Sequence, residues 1–384
     1  MTSTANPLWA TETSRGASSR PRWMPRAVEF LAVGGVSFLL LPAALWLRTL
    51  FGLGASEVAV GATMFYAAHV INDPHFSVTY LLFYEDFRER AFGSSRSPSV
   101  RARYLWAGIG VPTVLACWAA WAIAAHSAQG LGWMIQLMFL LVGWHYAKQG
   151  FGVLTVLCGR RGVRFDARER RVILAHCYAA WAFAWANPAR AAGEFEEKGV
   201  VYWGPAHPRW FEHASGAALA LSTLALVVVL VQRYRRDRSV PVLPLSTFLA
   251  TIWLWTIYTT LDPLVRYVIP ALHSLQYLYF VWLLKRNQAR ALEGPPHFGP
   301  PPATRLTALA LGALALGWLL LRGMPSLLDT TLATAFAGAP GAAHMGSTPF
   351  FAACFVIVNL HHYAMDQVIW RRDHAETRFL YATD

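Results

Sequence analysis

Long apolar runs separated by short polar connections dominate the chain. They place about ten helices, near 27–47, 57–84, 104–126, 131–158, 172–188, 213–232, 244–261, 264–284, 304–321 and 349–370. Most runs approach the roughly 20 residues an α-helix needs to cross bilayer hydrocarbon, so the pattern predicts an all-α, polytopic membrane helical bundle. Residues 1–26, rich in Ser, Thr and Arg, read as a polar, mobile N-terminal tail, 27–370 as one transmembrane domain and 371–384 as a cytoplasmic tail. The segment 294–302, Gly-Pro-Pro-His-Phe-Gly-Pro-Pro-Pro, reads as a stiff linker. The Gly-, Ala- and Thr-rich stretch 323–348 reads as an outer loop without regular structure.

Composition agrees with a membrane setting. Of 384 residues 55% are hydrophobic and only 14% charged, with 17 Trp, values too apolar for an ordinary soluble enzyme. The net charge of +12 raises nucleic acid as a partner. The distribution of the basic residues argues against it, because they fall in short clusters between apolar runs. Arg15, Arg20, Arg22 and Arg26 lead, Arg88 to Arg103 follow the second run, and Arg160 to Arg171 the fourth. Arg233 to Arg238 follow the sixth, Lys285 to Arg290 the eighth, and Arg371 and Arg372 the tenth. Every second connection is therefore basic. Cytoplasmic loops carry that excess, so both termini are expected in the cytoplasm, with a multi-pass bacterial inner-membrane location. The connection 189–212, with Glu194, Glu196, Glu197, Trp203 and Trp210, reads as outward-facing and interfacial. Cys117, Cys158, Cys177 and Cys354 have neither disulfide-framework nor zinc-ribbon spacing.

Histidines recur inside the apolar runs: His69 and His75, His145, His273, and the pair His361 and His362. Ionisable groups in hydrocarbon are costly, and several at one depth point to a metal site. Counting about 1.5 Å per residue from the outer ends puts His69, His145, His273 and His361 roughly 14–21 Å down their helices. Polar groups follow one turn later. Asp73 lies four residues after His69, Lys148 and Gln149 three and four after His145, Gln276 and Tyr277 three and four after His273, and Asp366 four after His362. Pro74 is placed to turn His75 inward. Imidazole suits Zn, Fe, Cu and Ni alike. The lipid setting, where dioxygen and apolar substrates concentrate, favours iron, mononuclear or dinuclear. The bland alternative for any one of these residues is a hydrogen bond between helices. Lys148 at such depth needs a partner, expected among Asp73, Asp366 and Asp262.

These motifs resemble the Brp/Blh family of membrane carotene dioxygenases. Four local matches occur in order: His69, Asp73 and His75; Trp144-His145-Tyr146; His273-Ser274-Leu275-Gln276; and His361, His362 and Asp366. They span 69–366 but only about 20 positions. The resemblance implies a helical bundle whose histidines hold a non-haem iron that cleaves a carotenoid. The chain departs from the family's third motif at Gln276 and Tyr277 and carries more apolar runs.

The leading expectation is a non-haem iron oxidoreductase, oxygenase or desaturase in type, acting on a carotenoid, isoprenoid or fatty chain. His69, His145, His273 and His361 are the first candidates as ligands, His75 and His362 substitutes or supports, and Asp73, Lys148 and Asp366 catalytic or orienting groups. Partners are then a lipid-soluble substrate, membrane lipid and, if the reaction needs one, an electron donor. A proton-coupled transporter with Asp73, Lys148, Asp366 and the histidines as relay is the alternative, and a metal-free lipid-modifying transferase a third reading.

Overall fold

The computed structural model describes residues 23–186, 192–260, 262–333, 340–371 and 374–382. The N-terminal tail through residue 22, with Arg15, Arg20 and Arg22, lies outside the described residues, as does Arg372. Every apolar run is helical. In chain order the helices are α1 (Trp23–Phe30), α2 (Ser37–Phe51), α3 (Leu53–Tyr84), α4 (Phe87–Phe92), α5 (Pro98–Leu105), α6 (Val111–Ala124) and α7 (Ala128–Arg160). There follow α8 (Ala167–Ala186), the strands β1 (Gly193–Glu197) and β2 (Val200–Gly204), α9 (Arg209–Asp237), α10 (Val242–Leu249) and α11 (Pro263–Glu293). The chain closes with α12 (Pro302–Trp318), α13 (Met324–Leu332) and α14 (Pro349–Ile369).

Among the described residues, five helical stretches are long and apolar enough to cross a membrane: Pro98–Ala124, Arg209–Asp237, Val242–Thr260, Leu264–Glu293 and Pro302–Leu332. The pair α1 and α2, bent by 55°, makes a sixth if it counts as one span. By length and composition this is a membrane protein. Helices α3, α7 and α14, of 32, 33 and 21 residues, are long enough too. They are more polar, partly because they carry His69, Asp73 and His75, then His145 and Lys148, then His361, His362 and Asp366.

Local chemistry sets several boundaries. Asp166 accepts the backbone N–H groups of Arg168 and Glu169 while Glu169 takes that of Asp166, a reciprocal cap that starts α8. Asp262 Oδ1 accepts the Leu264 N–H at 2.9 Å and starts α11. The start of α14 is capped from another helix: Asp329 of α13 accepts the N–H groups of Phe350 and Phe351 at 2.9 and 3.0 Å. The α1–α2 bend falls where Gly34 adopts φ +125°, a conformation that favours glycine. The Val33 carbonyl at that break accepts from Gln276 Nε2 at 2.6 Å.

Three expectations change. The fold is mostly helical, but β1 and β2 form an antiparallel hairpin inside the connection read as a plain interfacial loop. Its turn, Lys198-Gly199, has φ +54° and +82°, the positive pair that suits a two-residue hairpin. Its buried face, Val200 and Tyr202, packs with α7, where a Cβ on Gly132 would lie 2.5 Å from that of Tyr202. The stretch 323–348 is not wholly irregular, since α12 continues through a π-turn (Leu319–Gly323) into α13 and Ala342–Met345 forms a 3₁₀ turn; residues 334–339 lie outside the described residues. Third, the release of backbone expected at Pro74 does not interrupt α3, which runs through it with His75 fully buried.

Candidate metal centre

Four histidines from four helices meet. His75 of α3, His145 of α7, His273 of α11 and His362 of α14 each bring a ring nitrogen within 4.8 Å of the other three. None is more than 4% exposed. The Nε2 atoms of His145 and His273 lie 3.2 Å apart, and those of His145 and His362 3.3 Å. The His75 ring stands edge-on to His273, Tyr277 and His362, with centroids 4.9, 4.4 and 4.5 Å away. Tyr363 stacks on His145 at 4.7 Å, and Tyr146 lies 4.4 Å from His273.

The donor set fits a bound metal on two grounds. Two nitrogens bonded to one ion at about 2.1 Å stand about 3.0–3.4 Å apart, the spacing the Nε2 pairs already have. Both ring nitrogens of fully buried His75, and Nδ1 of His273 and His362, have no hydrogen-bond partner. Sealing such a group from water unpaired costs about 1–3 kcal/mol, which ligation would offset for one nitrogen of His75; Nδ1 of His273 and of His362 lies across the ring from the converging Nε2.

Asp366 borders the cluster. Its Oδ2 lies 3.3 Å from His362 Nε2 and 3.7 Å from His145 Nε2. Its Oδ1 accepts from the Tyr277 hydroxyl at 2.8 Å and the Trp370 indole at 3.2 Å. Because the Tyr277 proton goes to Asp366, the Thr79 hydroxyl donates to Tyr277, at 2.7 Å. One carboxylate oxygen is thus fixed by neutral donors while the other faces two histidines, an arrangement that orients imidazoles or completes a coordination shell. Tyr277, the polar group four residues after His273, lies on the same face of α11 and so reaches the centre's edge. Nothing in the sequence marked Thr79 or Trp370.

The other candidates lie elsewhere. His361 Nε2–H donates to the Ala107 carbonyl at 2.9 Å, within the π-turn Trp106–Gly110. A carbonyl only accepts, so this fixes the tautomer and Tyr80 donates to Nδ1 at 3.0 Å. Both nitrogens of His361 are therefore spent on bonds between helices. His69 is about one-third exposed, with Nδ1 3.3 Å from Asp73 Oδ2. That oxygen also lies 3.8 Å from Arg322 Nε, so Asp73 belongs to a cluster with Arg322 and His69, apart from the four histidines. Two residues along a helix is about 200° of rotation, which is why Asp73 and His75 face different neighbours. Lys148 forms no ion pair with Asp73, Asp366 or Asp262; its ammonium lies 5.9 Å from the centre of the Tyr178 ring. Gln149 Nε2 donates to Gln276 Oε1 at 2.8 Å, linking α7 to α11 beside His273.

Comparison with known proteins finds no matching family model and no significant match to a curated protein or a solved structure.

Proposed function

We propose that this chain is a multi-pass bacterial inner-membrane oxidoreductase that uses a non-haem metal, iron by preference, on a lipid-soluble substrate. The observation that carries the reading is the convergence of four buried histidines, one from each of four helices, with the Nε2 of His145 3.2 and 3.3 Å from those of His273 and His362. His75, His145, His273 and His362 would hold the ion, and Asp366 would orient His145 and His362 or add an oxygen ligand. Asp73, Lys148, His69 and His361 would act outside that shell. Bound iron supplies dioxygen and one-electron chemistry, and all-nitrogen ligation with a flanking carboxylate suits it. An oxygenase that leaves both oxygen atoms in its product needs no reductant; a desaturase needs two electrons from a donor.

A narrow apolar cleft of about 80 Å³ between α2, α3 and α11 favours an apolar ligand. Leu272, the neighbour of His273, lines it with Leu40, Leu47, Val268 and Ile269. The alternating basic connections support ten crossings with both termini in the cytoplasm. Elemental analysis of detergent-purified protein tests the reading: one or two irons per chain, lost in a His145→Ala/His273→Ala variant, are expected. Metal-free protein after anaerobic reconstitution with iron would overturn it.

One observation favours a second reading, a proton-coupled carrier. The α1–α2 span is broken, as half-helices are at transport sites. The carbonyl freed at that break is, however, bonded by Gln276. Metal-free protein with pH-dependent flux in vesicles is the result that would select the carrier.

A further inference from the structure

We propose that Lys148 is the anchor for the oxyanion head of an amphipathic lipid, so that the substrate is a long-chain carboxylate or phosphate ester and not a neutral hydrocarbon. As a binding site the proposal stands alone; as a substrate anchor it rests on the oxidoreductase reading above.

The argument starts from charge. Among the described residues several partly buried cations meet a carboxylate: Arg48 with Asp262, Arg161 with Glu29, Arg233 with Glu169, Lys285 with Glu85 and Arg322 with Asp73. Lys148 is partly buried in the middle of α7 and meets no carboxylate among the described residues. A tyrosine ring 5.9 Å beneath the ammonium recovers only a small part of the cost of removing it from water. An unmatched ammonium inside an apolar helix is a functional group by default, and the missing partner is an anion.

Position then names the anion's source. Lys148 follows His145 by three residues, about 4.5 Å along α7 and about 60° round it, and its ammonium turns to Tyr178 of α8. Its neighbour Tyr178 on α8 is 39% exposed, so the anion site opens at the α7–α8 surface. Gly143 lets these helices approach, since a Cβ there would touch the Trp181 ring at 3.1 Å. An anion arriving from that surface arrives on a lipid. Held at Lys148, its chain reaches the histidines several carbons from the head, which sets where along the chain a reaction falls.

The test is binding of spin-labelled stearate to the full-length protein in detergent, read as the motionally restricted fraction, with and without chelator. Competition by unlabelled oleate but not by oleyl alcohol is expected, with about tenfold weaker binding in Lys148→Met and near-parental binding in Lys148→Arg. Competition by phosphatidylglycerol and not by oleate would keep the oxyanion site and assign it to a phospholipid phosphate. Equal binding by Lys148→Met and the parent, or equal competition by oleyl alcohol, would overturn the proposal. Iron measured in the same samples separates the two readings. Iron retained with stearate binding lost in Lys148→Met supports both, and stearate binding without iron leaves the anchor standing and removes the oxidoreductase.

Discussion

His145 and His273, 128 positions apart in the chain and on different helices, point their Nε2 atoms at each other across 3.2 Å inside the protein. Two neutral imidazoles at that distance share at most one proton, and His362 also lies 3.3 Å from the same His145 nitrogen. A single hydrogen bond cannot satisfy three converging nitrogens. Replacing His75, His145, His273 or His362 singly by Ala is therefore expected to abolish stoichiometric metal, whereas His69→Ala and His361→Ala keep it. Elemental analysis of the six variants side by side decides which set ligates.

His361→Ala should instead lower stability. It removes two bonds between helices and leaves the Ala107 carbonyl and Tyr80 hydroxyl to find new partners. A loss of about 1–3 kcal/mol is expected, read as a lower thermal midpoint in detergent with metal content unchanged.

Asp366→Asn keeps an acceptor for Tyr277 and Trp370 but removes the charge facing His145 and His362. Metal affinity is expected to fall about 10–100-fold, and Tyr277→Phe should act in the same direction more weakly. Competition with a calibrated chelator measures both; unchanged affinity in Asp366→Asn would remove the carboxylate from the centre.

Acid should loosen the start of α8. The Glu169 backbone N–H bonded to the Asp166 carboxylate, ahead of its other contacts, holds this exposed group below the usual carboxylate range. A folded-state value below the unfolded one, about 3.9, gives stabilisation that is present above that pH and lost as pH falls through the folded value. Asp166→Ala should flatten this acid limb, seen by hydrogen exchange in 167–170 between neutral pH and pH 3.

Gly317 lies against the backbone of Asp73, where a Cβ would come within 2.8 Å of the carbonyl. Gly317→Val should push α12 from α3 at a cost of about 1–3 kcal/mol and disturb the Asp73–Arg322 pair before it disturbs the histidines. Thermal unfolding and metal content, measured together, separate these effects.

The helices were legible because hydrophobic runs of this length have few alternatives, and each run is indeed helical. The histidines as a class were legible for the same reason, standing out against apolar neighbours. Which of them meet was not. His69 and His75 differ by six residues, and a helix wheel does not say which face looks inward until the neighbouring helices are known. His361 and His362 are adjacent, about 100° apart, and the choice between them turned on a π-turn at Trp106–Gly110 that offers a carbonyl to one. The partner predicted for Lys148 failed because Asp73, Asp262 and Asp366 are each engaged by groups on other helices. The hairpin escaped notice because its strands are five residues long and its turn depends on a Lys at positive φ.

The cap that Asp329 places on α14 also has a consequence for biosynthesis. His362 and Asp366 ride on the last long helix, whose start is tied to α13 by that carboxylate. Ribosomes deliver α3, α7 and α11 first, so an emerging chain holds three of the four histidines with one side of their nest open. Insertion of α14 closes it. An ion in this nest would gain its fourth imidazole only when α14 docks.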